Sequence, residues 1–117
     1  MENNDIKKLA KEVLKFRDER DWKQFHNPKD SAISLSLEAS EVLEHFQWKN
    51  KEEVEKYLQE NKEHVAEELA DVLYWVILMS HDLDIDIIKA SFKKLEKNKV
   101  KYPVEKSRGK STKYNKL

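Results

Sequence analysis

Residues 62–83 read KEHVAEELADVLYWVILMSHDL, and their pattern sets the fold. Apolar side chains return every three or four positions, with no glycine or proline to interrupt them, which is the spacing of a helix that turns one face inward. The line carrying Glu68 and Asp71 in the first half continues as Trp75 and Leu78 in the second. An acidic pair on the same line as a core stripe points into the protein. The run Val72 to Met79 is apolar nearly all round. It is too short to span a bilayer, and packing between subunits is the economical way to enclose it.

Outward from this stretch the chain continues to read as helices. Ile6, Leu9, Val13 and Phe16 recur at helical spacing and predict a first helix from about Asp5 to Asp21, with its charges on the far face. Asn27-Pro28 is a helix start, because Asn accepts from free N–H groups and Pro suits the first helical position. A second helix should run from there to about Phe46. Between Trp48 and Asn61, Val54, Tyr57 and Leu58 mark a short helix within a connection. The third helix covers about Lys62 to Leu83, Asp82-Leu83-Asp84 forms a turn, and a fourth runs from about Ile85 to Tyr102, where Pro103 stops it.

The expected class is therefore all-α: a four-helix bundle protomer of an oligomeric protein. One Gly, two Pro and 39% charged residues leave little material for tight-turned sheets. Residues 1–103 read as a single helical domain. The tail, 104–117, holds Lys106, Arg108, Lys110, Lys113 and Lys116 against one Glu and reads as flexible.

With 117 residues, the chain buries roughly 65% of its extended surface on folding, enough for one core and no second cofactor-binding module. Its 23 Lys and Arg balance 23 Asp and Glu, which argues against nucleic acid or an anionic membrane as a partner. The absence of cysteine excludes disulfides, thiolate nucleophiles and Cys-ligated zinc. Met1 to Lys11 is polar with no apolar signal core, so the expectation is a soluble, cytoplasmic protein.

The chemistry is carried by two pairs of acids. The second helix contains Glu38-Ala-Ser-Glu41 and the third Glu67-Glu68-Leu-Ala-Asp71. At 3.6 residues per turn, Glu38 and Glu41 lie about 60° apart on one side, as do Glu68 and Asp71. Leu35, Val42 and Phe46 flank the first pair and half-bury it. Carboxylates converging inside a bundle repel one another and lose hydration, so they take up protons or hold a cation. Mg²⁺ fits best, with Mn²⁺ as a substitute, because it favours a few carboxylates together with water and phosphate oxygens. No His in the chain follows a Glu by three residues, which disfavours a di-iron bundle. The bland alternative is that all four acids are ordinary solvated helix charges.

These residues resemble the MazG-like nucleotide pyrophosphohydrolases of the all-α NTP pyrophosphatase superfamily, closest to the dCTP pyrophosphatase branch. The resemblance rests on the E-x-x-E and E-x-x-D pairs, on Glu19-Arg-Asp-Trp-Lys-Gln-Phe-His26, on Phe46-Gln-Trp-Lys49 and on Asn98 to Pro103, and it spans nearly the whole chain. It implies hydrolysis of a (deoxy)nucleoside triphosphate to the monophosphate and pyrophosphate in a homodimer or homotetramer, with dCTP or modified dCTP as the expected substrate. Glu38, Glu41, Glu68 and Asp71 become metal ligands, and Glu38 and Glu67 are the candidates for the general base. Trp22, His26, Trp48 and Trp75 are implied at the base and sugar, the last standing where near relatives carry tyrosine. Lys94, Asn98, Lys101 and Tyr102 are implied at the phosphates, with Val100 in a place that is often basic.

By spacing alone, Lys94 and Lys101 are a solvated cationic face near a helix C-terminus, and Trp22 and Trp48 are lids on the core. His26 reads equally as a satisfied structural histidine. His45 and His64 lie on the sides of their helices that carry the acid pairs. Two rivals accompany the reading: dUTP or broad-range hydrolysis, and a non-catalytic helical oligomeric scaffold.

Overall fold

The computed structural model describes residues 4–117. Met1, Glu2 and Asn3, part of the polar N-terminal stretch read above, lie outside the described residues. The helices are α1 (Asn4–Glu19), α2 (Pro28–Glu44), α3 (Lys51–Asp82), α4 (Ile87–Lys101) and the single turn α5 (Val104–Ser107). Three-residue 3-10 turns stand at Lys23–Phe25 and Tyr114–Lys116. No strand occurs among the described residues, so the all-α expectation holds.

The helix ends follow from their capping chemistry. Asn27 accepts from the Asp30 backbone N–H at 3.0 Å, with Pro28 in the first turn of α2. Asn50 and Glu53 form a reciprocal capping box that starts α3 well before the position read from periodicity. The expected short helix and the third helix are thus one element. It kinks at Asn61, whose backbone leaves helical geometry (φ −124°, ψ 16°) while its side-chain amide donates to the Tyr57 carbonyl at 3.1 Å. A side chain has inserted into the ladder, and the rod bends there without ending. Asp84, at φ 54°, makes the left-handed turn that closes α3, and Asp86 caps α4 by accepting from the Lys89 N–H at 3.0 Å.

The chain divides into two compact units, one ending at Asp84 and the other formed by Ile85–Leu117. In the first, α3 packs along α2 and, over a shorter length, against α1. Its core joins Val13 of α1 to Ile77 and Leu78 of α3, with Ala10, Leu14, Tyr74 and Trp75 packed on it. Leu78 is fully enclosed at 0% exposure. Truncating it in the Leu78→Ala variant is expected to lower unfolding free energy by about 2–5 kcal/mol, read from urea titrations with an unchanged m value.

Arg17 of α1 is also buried, at 1% exposure. It reaches Asp82 at the end of α3 with two parallel bonds, Nη1 to Oδ2 at 2.8 Å and Nη2 to Oδ1 at 3.0 Å. This fork joins the C-terminal ends of α1 and α3. Within one chain the run Val72 to Met79 is closed only around Ile77 and Leu78, and Leu73 remains 39% exposed. In the second unit, α4 carries Phe92 and Leu95 on its surface, and Tyr102 stands edge-on to Tyr114 with ring centroids 6.1 Å apart. No helix among the described residues is long and apolar enough to cross a membrane.

Candidate metal centre

The packing of α2 against α3 brings the two acid pairs together. Glu38, Glu41, Glu68 and Asp71 each offer a carboxylate oxygen, and these oxygens all lie within 4.8 Å of one another. Glu38 and Glu68 are half-buried, while Glu41 and Asp71 are exposed. One oxygen of Glu38 and one of Glu68 are shut off from solvent without a hydrogen-bond partner. Ionised carboxylates can only accept, so nothing within the cluster satisfies those oxygens unless a proton or a cation enters.

The electrostatics agree. Glu68 is pushed up to about 7 by its hydrogen bond with Glu41, by burial, and by the charges of Glu41, Asp71 and Glu38. Glu38 is raised by burial first, then by its hydrogen bond with Glu41 and the charges of Glu41 and Asp71. An all-oxygen, acceptor-only set with orphaned buried atoms fits a hard divalent cation.

This has a pH signature. A carboxyl whose native pKa is raised stabilises the fold fully below its unfolded value of 4.5, and that contribution is lost as pH rises through about 7. Chelator-treated protein should therefore melt at progressively lower temperature across that window. The Glu68→Gln variant, which keeps a neutral side chain throughout, should show a smaller decline, and so should wild type with added divalent cation.

Beside the acids lies an aromatic pocket of about 470 Å³, and Glu38 and Asp71 line it as well. Trp22, His26 and Trp75 are brought into it together with Glu12, Val13, Phe16 and Tyr74. Its walls interlock edge to face: Phe16 meets Trp22 at 5.6 Å, and His26 meets Trp75 at 5.1 Å between centroids. Burial raises the Tyr74 phenol above its ordinary value. Val13 and Phe16 were visible in the sequence only as a core stripe, and Glu12 only as one charge on the far face of α1. What the sequence lacked was a sign that α1 borders the acid cluster.

Glu67 is exposed and is not among the converging acids. Trp48 is 86% exposed in the link between α2 and α3 and does not line the pocket. His45 is bonded through Nδ1 to the Tyr57 hydroxyl, and His64 is exposed. Lys94, Asn98, Lys101 and Tyr102 belong to the second unit. There Lys94 and Asn98 line an open groove of about 460 Å³ with Ile87 and Leu95, and the Lys101 ammonium lies 4.8 Å from the centre of the Tyr114 ring.

The family model described as "MazG-like family" matches residues 33–117. A protein named dCTP pyrophosphatase 1 from Rattus norvegicus is 38% identical over 115 residues, which cover 97% of this chain and 66% of that protein. The Homo sapiens protein of the same name is 36% identical over the same span. The chain thus spans just under two thirds of the length of these relatives. Among solved structures, a pyrophosphatase from Archaeoglobus fulgidus superposes with a TM-score of 0.80 at 39% identity, over 84% of this chain and 92% of that one.

Proposed function

This chain belongs to the MazG-like family, and from that premise we propose that it is a Mg²⁺-dependent nucleoside triphosphate pyrophosphohydrolase, acting on dCTP or a modified dCTP. The observation that carries the reading is the meeting of two features in one place: an acid cluster with unsatisfied buried oxygens, and an aromatic pocket that shares Glu38 and Asp71 with it. The cytosine preference follows the names of the relatives.

Glu38, Glu41, Glu68 and Asp71 would hold the magnesium. When bound, it neutralises the charge that develops on the phosphate oxygens. Trp22 and Trp75 take the base against their ring faces, where stacking contributes about 1–3 kcal/mol. Glu38 borders both cluster and pocket, which supports it over Glu67 as the group that accepts a proton from the attacking water. Water adds, the bond between the α and β phosphates breaks, and the monophosphate and pyrophosphate leave. On the sequence resemblance alone, we assign Lys94, Asn98, Lys101 and Tyr102 to the triphosphate.

The active form is a homodimer or homotetramer, located in the cytoplasm. Support for the assembly comes from apolar side chains left open in one chain, Leu37, Leu69 and Leu73, and from the exposed indole of Trp48. A nucleotide panel with Mg²⁺ tests the proposal. Equimolar monophosphate and pyrophosphate are expected, with the highest kcat/KM for cytosine deoxynucleotides. Orthophosphate as the direct product, or no turnover of any triphosphate, overturns it.

A further inference from the structure

The first unit holds a second cavity, of about 340 Å³, where the start of α2 meets the end of α3; Lys23, His26, Asn27, Ser31, His81 and Asp82 line it. None of the four acids of the cluster borders it, and His26 is the one residue it shares with the aromatic pocket. Ser31 sets this cavity apart from an ordinary gap between helices. The residue is 3% exposed, yet its hydroxyl makes no hydrogen bond among the described residues. Ser40, Ser80 and Ser91 also sit inside helices, and each turns its hydroxyl back onto the carbonyl four residues earlier, at 2.9, 2.6 and 2.7 Å. The Ser31 hydroxyl leaves the corresponding Asn27 carbonyl to its own backbone N–H, at 2.9 Å. A buried hydroxyl bordering an open cavity takes its partner from that cavity.

The charges around Ser31 decide what that partner is. Asp82 is answered by the Arg17 fork. Lys23 and His81 stand near enough for their charges to help hold the Asp82 carboxyl below its ordinary value, but neither forms an ion pair with it. The Lys23 ammonium therefore has no ion-pair partner among the described residues, in a cavity where the Ser31 hydroxyl and the His81 imidazole can both donate. At about 340 Å³ the space lies near the lower end of ligand sites and suits a small anion better than a whole nucleotide.

We propose that this cavity is a second anion site, in which Lys23, Ser31 and His81 bind a small inorganic oxyanion of the phosphate class. Such an ion carries enough acceptor oxygens to meet three donors at once, and the fork from Arg17 offsets the one carboxylate in the wall. The site needs no divalent cation and stands whether or not the chain hydrolyses nucleotides.

Calorimetry on the full chain, dialysed free of divalent cations so that the acid cluster repels anions, tests the proposal. Pyrophosphate, orthophosphate and deoxycytidine monophosphate are titrated separately, and amide NMR reports where each binds. The inorganic ions should bind saturably with a Kd of about 1 mM or tighter, weakening as salt is added. The amides of Ser31, His81 and Leu83 should shift. Ser31→Ala and Lys23→Ala, each checked for a wild-type melting profile, should weaken pyrophosphate binding about 10-fold or more, whereas Lys23→Arg should retain most of it. No saturable binding, shifts confined to the acid cluster or to α4, or unchanged affinity in either Ala variant overturns the site. Tighter binding of the nucleotide than of pyrophosphate at these amides overturns the assignment to an inorganic ion.

Discussion

Asp71→Asn should fold as well as wild type and lose more than about 100-fold in turnover, the scale expected when a direct ligand is removed and not merely one of its supports. Asp71 is one of the four acids whose oxygens gather within 4.8 Å, and it is exposed. Its charge is one of those that raise Glu68 and Glu38. Removing it relieves repulsion in the cation-free protein, so thermal stability without metal should hold or rise while calorimetric Mg²⁺ affinity falls. That opposition between stability and activity distinguishes a ligand from a structural residue. Glu38→Gln should likewise abolish pyrophosphate release. Glu67→Gln, at an exposed site outside the cluster, should stay near wild type, and a loss there in place of Glu38 would move the proton-accepting role to Glu67. Wild-type turnover in Asp71→Asn would remove the basis of the metal site.

The largest stability effect should come from the other end of α3. Asp82→Ala leaves the Arg17 guanidinium, 1% exposed, with no anionic partner. Stranding a buried charge in this way costs about 3–5 kcal/mol. Arg17→Met should cost less, because the Asp82 side chain retains 23% exposure and water can reach the carboxylate left behind, while Met fills much of the vacated volume. Denaturant titrations of the two variants should therefore differ, although each breaks the same pair. The bond from Arg17 holds the Asp82 carboxyl below its usual range, against the opposing pull of burial. Its contribution is present above the unfolded carboxylate value of 3.8 and disappears as pH falls through the native one. Equal losses in the two variants would contradict the asymmetry.

Much of this molecule is legible from its residues because its devices are local. Asn27-Pro28 announces a helix by capping chemistry, and Glu68, Asp71, Trp75 and Leu78 announce an inward-facing line by periodicity alone. The continuity of α3 was not legible: Asn61 interrupts helical geometry, yet its amide takes the Tyr57 carbonyl and carries the rod onward. The Arg17–Asp82 fork joins residues 65 positions apart, and neither carries a sequence mark that sets it off from the other charges of a highly charged chain. Glu12 likewise carries no mark that sets it off from the other charges of α1, although the approach of α1 to α3 makes it a wall of the aromatic pocket. Trp48 shows the converse. Its string suggested a base contact, but a single chain leaves the indole open to water.

The bend at Asn61 also shapes how α3 comes apart. Helical cooperativity runs through unbroken amide-to-carbonyl ladders, and a position that substitutes a side chain for a rung is a seam between cooperative blocks. Residues 51–60 can therefore fray and re-form as one foldon while residues 62–82, which carry the acids and the core leucine, stay closed. The arm that precedes the seam can open as a block of its own once Tyr57 parts from His45, leaving the acid-bearing half of the rod undisturbed.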